Sequence, residues 1–229
     1  MDDFFGQALL DYYLHTLEAP LILHTSYGPS ETLPLERFFH DEDAFSDLDF
    51  FALDQARGSI LDIGAAAGRH ALFLQQQGLN VTVLDISPSC GKIMEESGLK
   101  KIIIDDAFHY AEKKYDTLLM LMNGIGIAGD IDGLSQLFHH LKTIITPRGQ
   151  LLLDSTDISY MYDHAEKPTD RYFGELTFRY EYKNKLGKPF KWLYLDQKKL
   201  IDVAQKTGWT CQIIFEDESD AYLARLQTR

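Results

Sequence analysis

Short apolar runs and amphipathic stretches alternate along residues 59–153. SILDI, NVTVLDI, KIIID, YDTLLMLM and QLLLD are nearly continuous apolar runs, which predicts strands buried on both faces. RHALFLQQQ, ended by Gly78, and DGLSQLFHHLKTI repeat apolar residues at helical spacing. A third helix is predicted from its start signals, Ser87 as cap and Pro88 at the first position, and runs to Gly98. Strands alternating with helices predict a parallel sheet wrapped on both faces. TPRG reads as a turn before QLLLD.

The two ends of the chain read differently. GELTFRYEYKN and PFKWLYLD alternate and are joined across NKLG, which predicts an antiparallel hairpin. Asp196 caps QKKLIDVAQKT, Gly208 ends it, and WTCQIIFED and AYLARLQTR follow as two strands around an acidic turn. The long irregular stretch DISYMYDHAEKPTDRYF lies between Ser155 and Gly174. Residues 1–57 carry no strong strand signal. FGQALLDYYLHTL, PLERFFH and AFSDLDFFALDQA, the last two separated by HDED, predict a cover of short aromatic helices. The expectation is a single domain over 1–229. It has a helical lid at 1–57, a ligand-binding core at 59–153 and an insertion with a hairpin at 155–190.

The first strand runs straight into GAAAG and then a helix. In an open α/β sheet, ligands sit beyond the carboxyl ends of the strands, so a bare turn there invites a ligand against the backbone. A phosphate-binding P-loop would need Lys-Ser/Thr after its last glycine, but Arg69 and His70 follow. The dinucleotide pattern G-x-G-x-x-G would put its third glycine at Arg69, which disfavours a nicotinamide oxidoreductase.

What remains is D-x-G-x-A-x-G, Asp62 to Gly68. This resembles motif I of the class I S-adenosylmethionine-dependent methyltransferases, with Ala66 where that family usually has glycine. The likeness continues in order and spacing over residues 59–153. Asp85 ends VTVLD at the position where the family's acid holds the ribose hydroxyls, and Ile86 follows where the adenine packs. IIIDDAF places Asp106 and Ala107 at the adenine amino group and ring nitrogen. YDTLLMLMNGIG resembles motif IV, with Asn123 near the methionine portion and Asp62 near its ammonium. The resemblance implies a Rossmann-like fold, a doubly wound and mostly parallel seven-stranded sheet with an antiparallel last strand. It assigns cofactor contacts to Asp62, Gly64, Ala65, Ala66, Gly68, Asp85, Ile86, Asp106, Ala107 and Asn123, and the cofactor S-adenosylmethionine.

Methyl transfer from a sulfonium mainly requires alignment, so such a site can lack an obvious catalytic residue, and none stands out here. His70, in the first turn of a helix, reads as structural. NGIG is not the NPPY-type motif associated with methylation of base amino groups, and a net charge of −13 repels phosphate backbones. Nucleic acid is therefore not expected as a partner. A small-molecule acceptor is expected, with Tyr12, Tyr13 and Tyr160 as candidate contacts on a lid and loop that close over the donor. Protein or RNA methylation, or a binding module without turnover, are the alternatives. Cys90 and Cys211 match no metal or redox spacing, and no histidine–carboxylate cluster has metal spacing, so no metal is expected. MDDFFGQALL is acidic where a signal peptide would be basic. No apolar run is long enough to span a bilayer, and a cytoplasmic location is expected.

Overall fold

The computed structural model describes residues 3–39, 42–164 and 166–229. His40 and Asp41 of the HDED stretch and Ala165 of the long loop lie outside them. Strands β3 (Ser59–Ile63), β4 (Asn80–Asp85), β5 (Ile102–Ile104), β6 (Tyr115–Met120) and β7 (Ile145–Thr156) pair in parallel. Strands β11 (Trp209–Glu216) and β12 (Ala221–Thr228) complete a seven-stranded sheet in the order β11-β12-β7-β6-β3-β4-β5. The last strand, β12, is antiparallel to both of its neighbours.

The continuous apolar runs are explained by two cores. Side chains alternate across a strand, so Leu61, Leu118 and Leu151 join one core with helices α5 (Ile131–Ile144) and α6 (Gln197–Lys206). Their neighbours Ile60, Leu119 and Leu152 join the other, with α1 (Phe4–Tyr13), α2 (Asp47–Asp54), α3 (Arg69–Gln76) and α4 (Pro88–Glu96). The caps foreseen in the sequence form: Ser87 Oγ accepts from Cys90 N–H at 3.0 Å, and Asp196 Oδ1 from Lys199 N–H at 2.9 Å. The TPRG turn is instead an irregularity inside β7. Tyr115 pairs with Ile145 and Thr117 with Gln150, so the stretch bulges out while the strand goes on.

The N-terminal segment is not helical throughout. Strand β1 (Ile22–Thr25) and the short β2 (Glu31–Thr32) lie within it. They pair with β8 (Glu175–Tyr182), β9 (Lys185–Leu186) and β10 (Phe190–Leu193) in a second, antiparallel sheet ordered β10-β8-β1-β2, with β9 beside β8. The expected hairpin is there, and the cover and the insertion are parts of one sheet. One face of it gathers Leu23, Leu176, Phe178, Tyr180, Phe190, Trp192 and Tyr194.

Candidate active site

The site is built where β3 and β4 end. Gly64 and Gly68 take left-handed backbone, with φ +72° and +82°. Gly64 N–H donates to Leu84 O at 2.8 Å, which folds the turn back over β4. A side chain at Gly64 would meet nothing within 4 Å, whereas one at Gly68 would come within 2.6 Å of Leu99 Cδ1. Gly64 therefore faces open space and Gly68 serves close packing. Ala66 is also left-handed, at φ 52°, a conformation that strains a residue with a Cβ. The strained turn is held by Asp85, whose Oδ2 accepts from Ala66 N–H at 2.8 Å and whose Oδ1 accepts from Ser87 N–H at 2.9 Å. Each carboxylate oxygen keeps a free lone pair. Burial pushes the Asp85 carboxyl up, against these two N–H donors.

Around this acid lie apolar side chains left bare. Ile86 is 57% exposed and Ile104 44% exposed. Asp105 N–H donates to Asp85 O at 3.1 Å, which brings the loop after β5 alongside. Asp106 Oδ1 accepts from Phe108 N–H at 2.9 Å, and Ala107 packs partly into the core beside it. Asp62 is 4% exposed, and no hydrogen bond acts on its carboxyl. Burial pushes it up to about 6, with His70 opposing and Asp85 adding to the shift.

Asn123 is hydrogen-bonded within the protein. Its side chain donates to Leu193 O at 3.2 Å and accepts from Ser155 Oγ at 2.8 Å, so it joins the end of β6 to β7 and β10. Its backbone N–H donates to Asp154 Oδ1 at 2.8 Å. Asp154 was not foreseen. QLLLD ends in an acid just as SILDI and VTVLD carry theirs, and that signal was present in the sequence. Burial pushes the Asp154 carboxyl up to about 7.

Arg69 and His70, which stand where a phosphate-binding loop would carry Lys-Ser/Thr, form a latch. Asp49 on α2 accepts from Arg69 NH2 at 2.8 Å and from His70 Nε2 at 2.9 Å, all three buried. Arg69 also donates to Arg37 O at 2.8 Å and lies 4.5 Å from the centre of the Phe45 ring. At the other end, Asp3 Oδ2 accepts from Ser87 Oγ at 2.7 Å, which fixes α1 on the start of α4.

Of the three tyrosines expected at the acceptor, Tyr12 and Tyr13 stack on Phe39, with centroids 5.1 and 6.1 Å apart. Tyr12 also lines a separate groove of about 250 Å³ with Leu17, Pro20 and Leu33. Tyr160 stands exposed in the neighbourhood of Tyr27 and Tyr194, and burial pushes both of those phenols up. Phe5 stacks on Tyr180 at 5.8 Å, so the start of α1, rather than its end, reaches the aromatic face. No group of metal-ligating side chains occurs among the described residues. Nor is any helix among them long and apolar enough to cross a membrane.

A family profile described as a methyltransferase domain matches residues 37–212. The chain is 34% identical to a SAM-dependent methyltransferase from Bacteroides fragilis, solved in complex with S-adenosyl-L-homocysteine. That match has a TM-score of 0.89 and covers 99% of this chain and 94% of that one. The sugar N-methyltransferase KedS8 from Streptoalloteichus is 12% identical with a TM-score of 0.61, covering 90% of this chain and 97% of that one. The CcbJ methyltransferase from Streptomyces caelestis is 13% identical with a TM-score of 0.63, covering 83% and 99%. These two share the fold. No curated protein matches the chain. On the family profile and the Bacteroides relative together, the chain belongs to the S-adenosylmethionine-dependent methyltransferases.

Proposed function

We propose that the protein methylates a small-molecule acceptor held between the strand ends of the main sheet and the aromatic face of the second sheet. The observation that carries this reading is Trp192 of β10. It lies so close over the turn after β6 that a side chain at Gly126 would strike its indole. The space over the strand ends is thus roofed by rings, which suits a compact ligand better than a strand of nucleic acid. The net charge of −13 adds to this.

The residues present fit S-adenosylmethionine. Asp62, buried without a hydrogen-bond partner, is placed for the methionine ammonium. Asp85, with its free lone pairs, is placed for the ribose hydroxyls. Bare Ile86 is placed for the adenine ring, with Asp106 and Ala107 at its edge. Gly64, facing open space, allows close approach, with Ala65 and Gly68 shaping the turn. Asn123 contributes through the turn it closes rather than through its amide. When bound, the cofactor supplies a methyl group already activated toward in-line displacement. The chain's own residues orient the acceptor and exclude water. The two free thiols, Cys90 and Cys211, suit a reducing cytoplasm, which belongs to the same proposal.

The test is calorimetric titration with S-adenosylhomocysteine, with NAD as control and D85A alongside, then transfer of labelled methyl to small-molecule, protein and RNA fractions. The reading expects D85A-sensitive binding of the homocysteine compound alone and label in small molecules. Label only in protein or RNA would overturn the acceptor class.

A further inference from the structure

We propose that Asp3 is a positioning residue for the cofactor: by gripping Ser87 it sets the loop on which Asp85 and Ile86 stand. This rests on the cofactor placement above and extends it to a residue of α1 that acts through another.

Asp3 is the cap of α1, and a cap needs one oxygen. Oδ1 fills that role, accepting from Gly6 N–H at 3.1 Å. Oδ2 reaches across the sequence instead. It accepts from Ser87 Oγ at 2.7 Å and from Ser89 N–H at 3.3 Å. Gly6 makes room for this contact, because a side chain there would strike Ser87 Oγ. Glycine is a poor helix former, so its place in the first turn of α1 is explained by the close approach and not by the helix.

Ser87 is 6% exposed, and each of its polar groups is engaged. Its N–H donates to Asp85 Oδ1 at 2.9 Å and its hydroxyl donates to Asp3. Its Oγ accepts from Cys90 N–H at 3.0 Å and its carbonyl from Gly91 N–H at 3.1 Å. Two acids thus hold one serine, Asp85 by the backbone and Asp3 by the side chain. Only Ile86 separates Ser87 from Asp85, so a shift of the serine is passed to both. Burial pushes the Asp85 carboxyl up and the charge of Asp3 adds to it, so the second acid stands within electrostatic reach of the first.

Asp3 grips from a fixed base. Phe5, two residues on, stacks on Tyr180 of β8 at 5.8 Å and meets the Phe38 ring edge-on at 5.1 Å. Near the other end of α1, Asp11 accepts from the Tyr182 hydroxyl at 2.7 Å and from Lys183 Nζ at 2.7 Å. Helix α1 is thereby tied to the second sheet along its length, and Asp3 hands that position to the loop after β4. A carboxylate that takes two ribose hydroxyls at once needs both oxygens aimed. The N–H groups that aim Asp85 are those of Ala66 and Ser87, and Asp3 secures the second.

The experiment is a double-mutant cycle read by calorimetric titration with S-adenosylhomocysteine: wild type, Asp3→Ser, Asp85→Asn and the pair. Serine caps a helix as well as aspartate does but is too short to reach Ser87, so Asp3→Ser keeps α1 and removes the grip. It is expected to weaken S-adenosylhomocysteine about tenfold in the wild-type background, and by less than about twofold beside Asp85→Asn, since its effect passes through Asp85. A residue that only stabilises the fold would lose the same factor in both backgrounds. Gly6→Ala pushes Ser87 and Asp3 apart without removing a hydrogen-bonding group. It is expected to show the same dependence on Asp85, and it decides if Asp3→Ser does not fold. Binding by Asp3→Ser within about twofold of wild type, or an equal loss in both backgrounds, would overturn the proposal. If Asp85→Asn alone binds as the wild type does, the cofactor placement falls, and the role of Asp3 with it.

Discussion

Asp49→Ala tests the latch that ties the cover to the cofactor turn. The Asp49 carboxylate accepts from Arg69, His70 and the Ser46 N–H and hydroxyl, the last two at 3.0 Å as one half of a capping box. Burial acts to raise its pKa, but these donors more than offset it and hold the carboxyl at about 2. Removing it strands the Arg69 guanidinium, which is only 8% exposed at its side chain. Breaking a buried pair from one side costs about 3–5 kcal/mol. For a chain of this size that corresponds to a fall in Tm of roughly 6–20 °C. Urea unfolding followed by far-UV circular dichroism gives the free energy, and a double-mutant cycle with Arg69→Met isolates the pair. The native carboxyl titrates below the 3.8 of an unfolded aspartate. The native state thus binds fewer protons, and this stabilisation is complete above 3.8 and lost as pH falls toward 2. The depression is worth about 2 kcal/mol, which Asp49→Ala should remove from the acid limb of the stability curve. A loss of stability below 1 kcal/mol, or an unaltered acid limb, would refute the latch.

Asp85→Ala should weaken S-adenosylhomocysteine by about 10²–10⁴-fold in calorimetry, since two hydrogen bonds to a charged group are lost. Gly64→Ala puts a side chain into the open space of the turn and a Cβ on left-handed backbone, so it should lower affinity and also cost about 1–2 kcal/mol of stability, whereas Gly68→Ala adds a clash with Leu99 to the same strain and should destabilise the fold more. Ala66→Gly should raise the unfolding free energy by up to about 1 kcal/mol by relieving a left-handed alanine, measured by the same urea titration. The Asp62 carboxyl lies above the unfolded 3.8, at about 6, so its native form binds the extra proton. Stability from this group is therefore present below 3.8 and lost as pH rises through 6. Affinity for the cofactor's ammonium should move the opposite way, rising with pH through 6 in wild type and staying flat in Asp62→Asn.

The parallel core was legible because β3, β4, β6 and β7 are runs of residues buried on both sides, and because Asp62 and Asp85 interrupt such runs at their ends; edge strand β5, read from the same kind of run, is only partly buried. Gly64, Gly68 and Asp85 were legible for the same reason, as departures from a pattern. Strand β1 was not. ILHT is four residues long, half of them polar, and its pairing with β8 is a property of a partner more than 150 residues away. Asn123 shows another limit. Its position beside the site followed from the strand end, but the direction of its amide depends on Ser155 and Leu193, which only the fold brings near. Asp154 carried the same signal as Asp62 and Asp85, but its bond from the Asn123 N–H depends on the end of β6, which only the fold brings near.

The pairing of Ile22 with Glu181 also orders events in time. Synthesis proceeds from the N-terminus, and contacts distant in sequence form late. The glycine turn, Asp85 and the first four strands of the parallel sheet are complete before the hairpin that partners β1 has been made. The turn after β3, with the Asp85 contacts that hold it, can thus assemble while the second sheet does not yet exist. The second sheet waits on β8 and β10, with α6, β11 and β12 still to follow them from the ribosome.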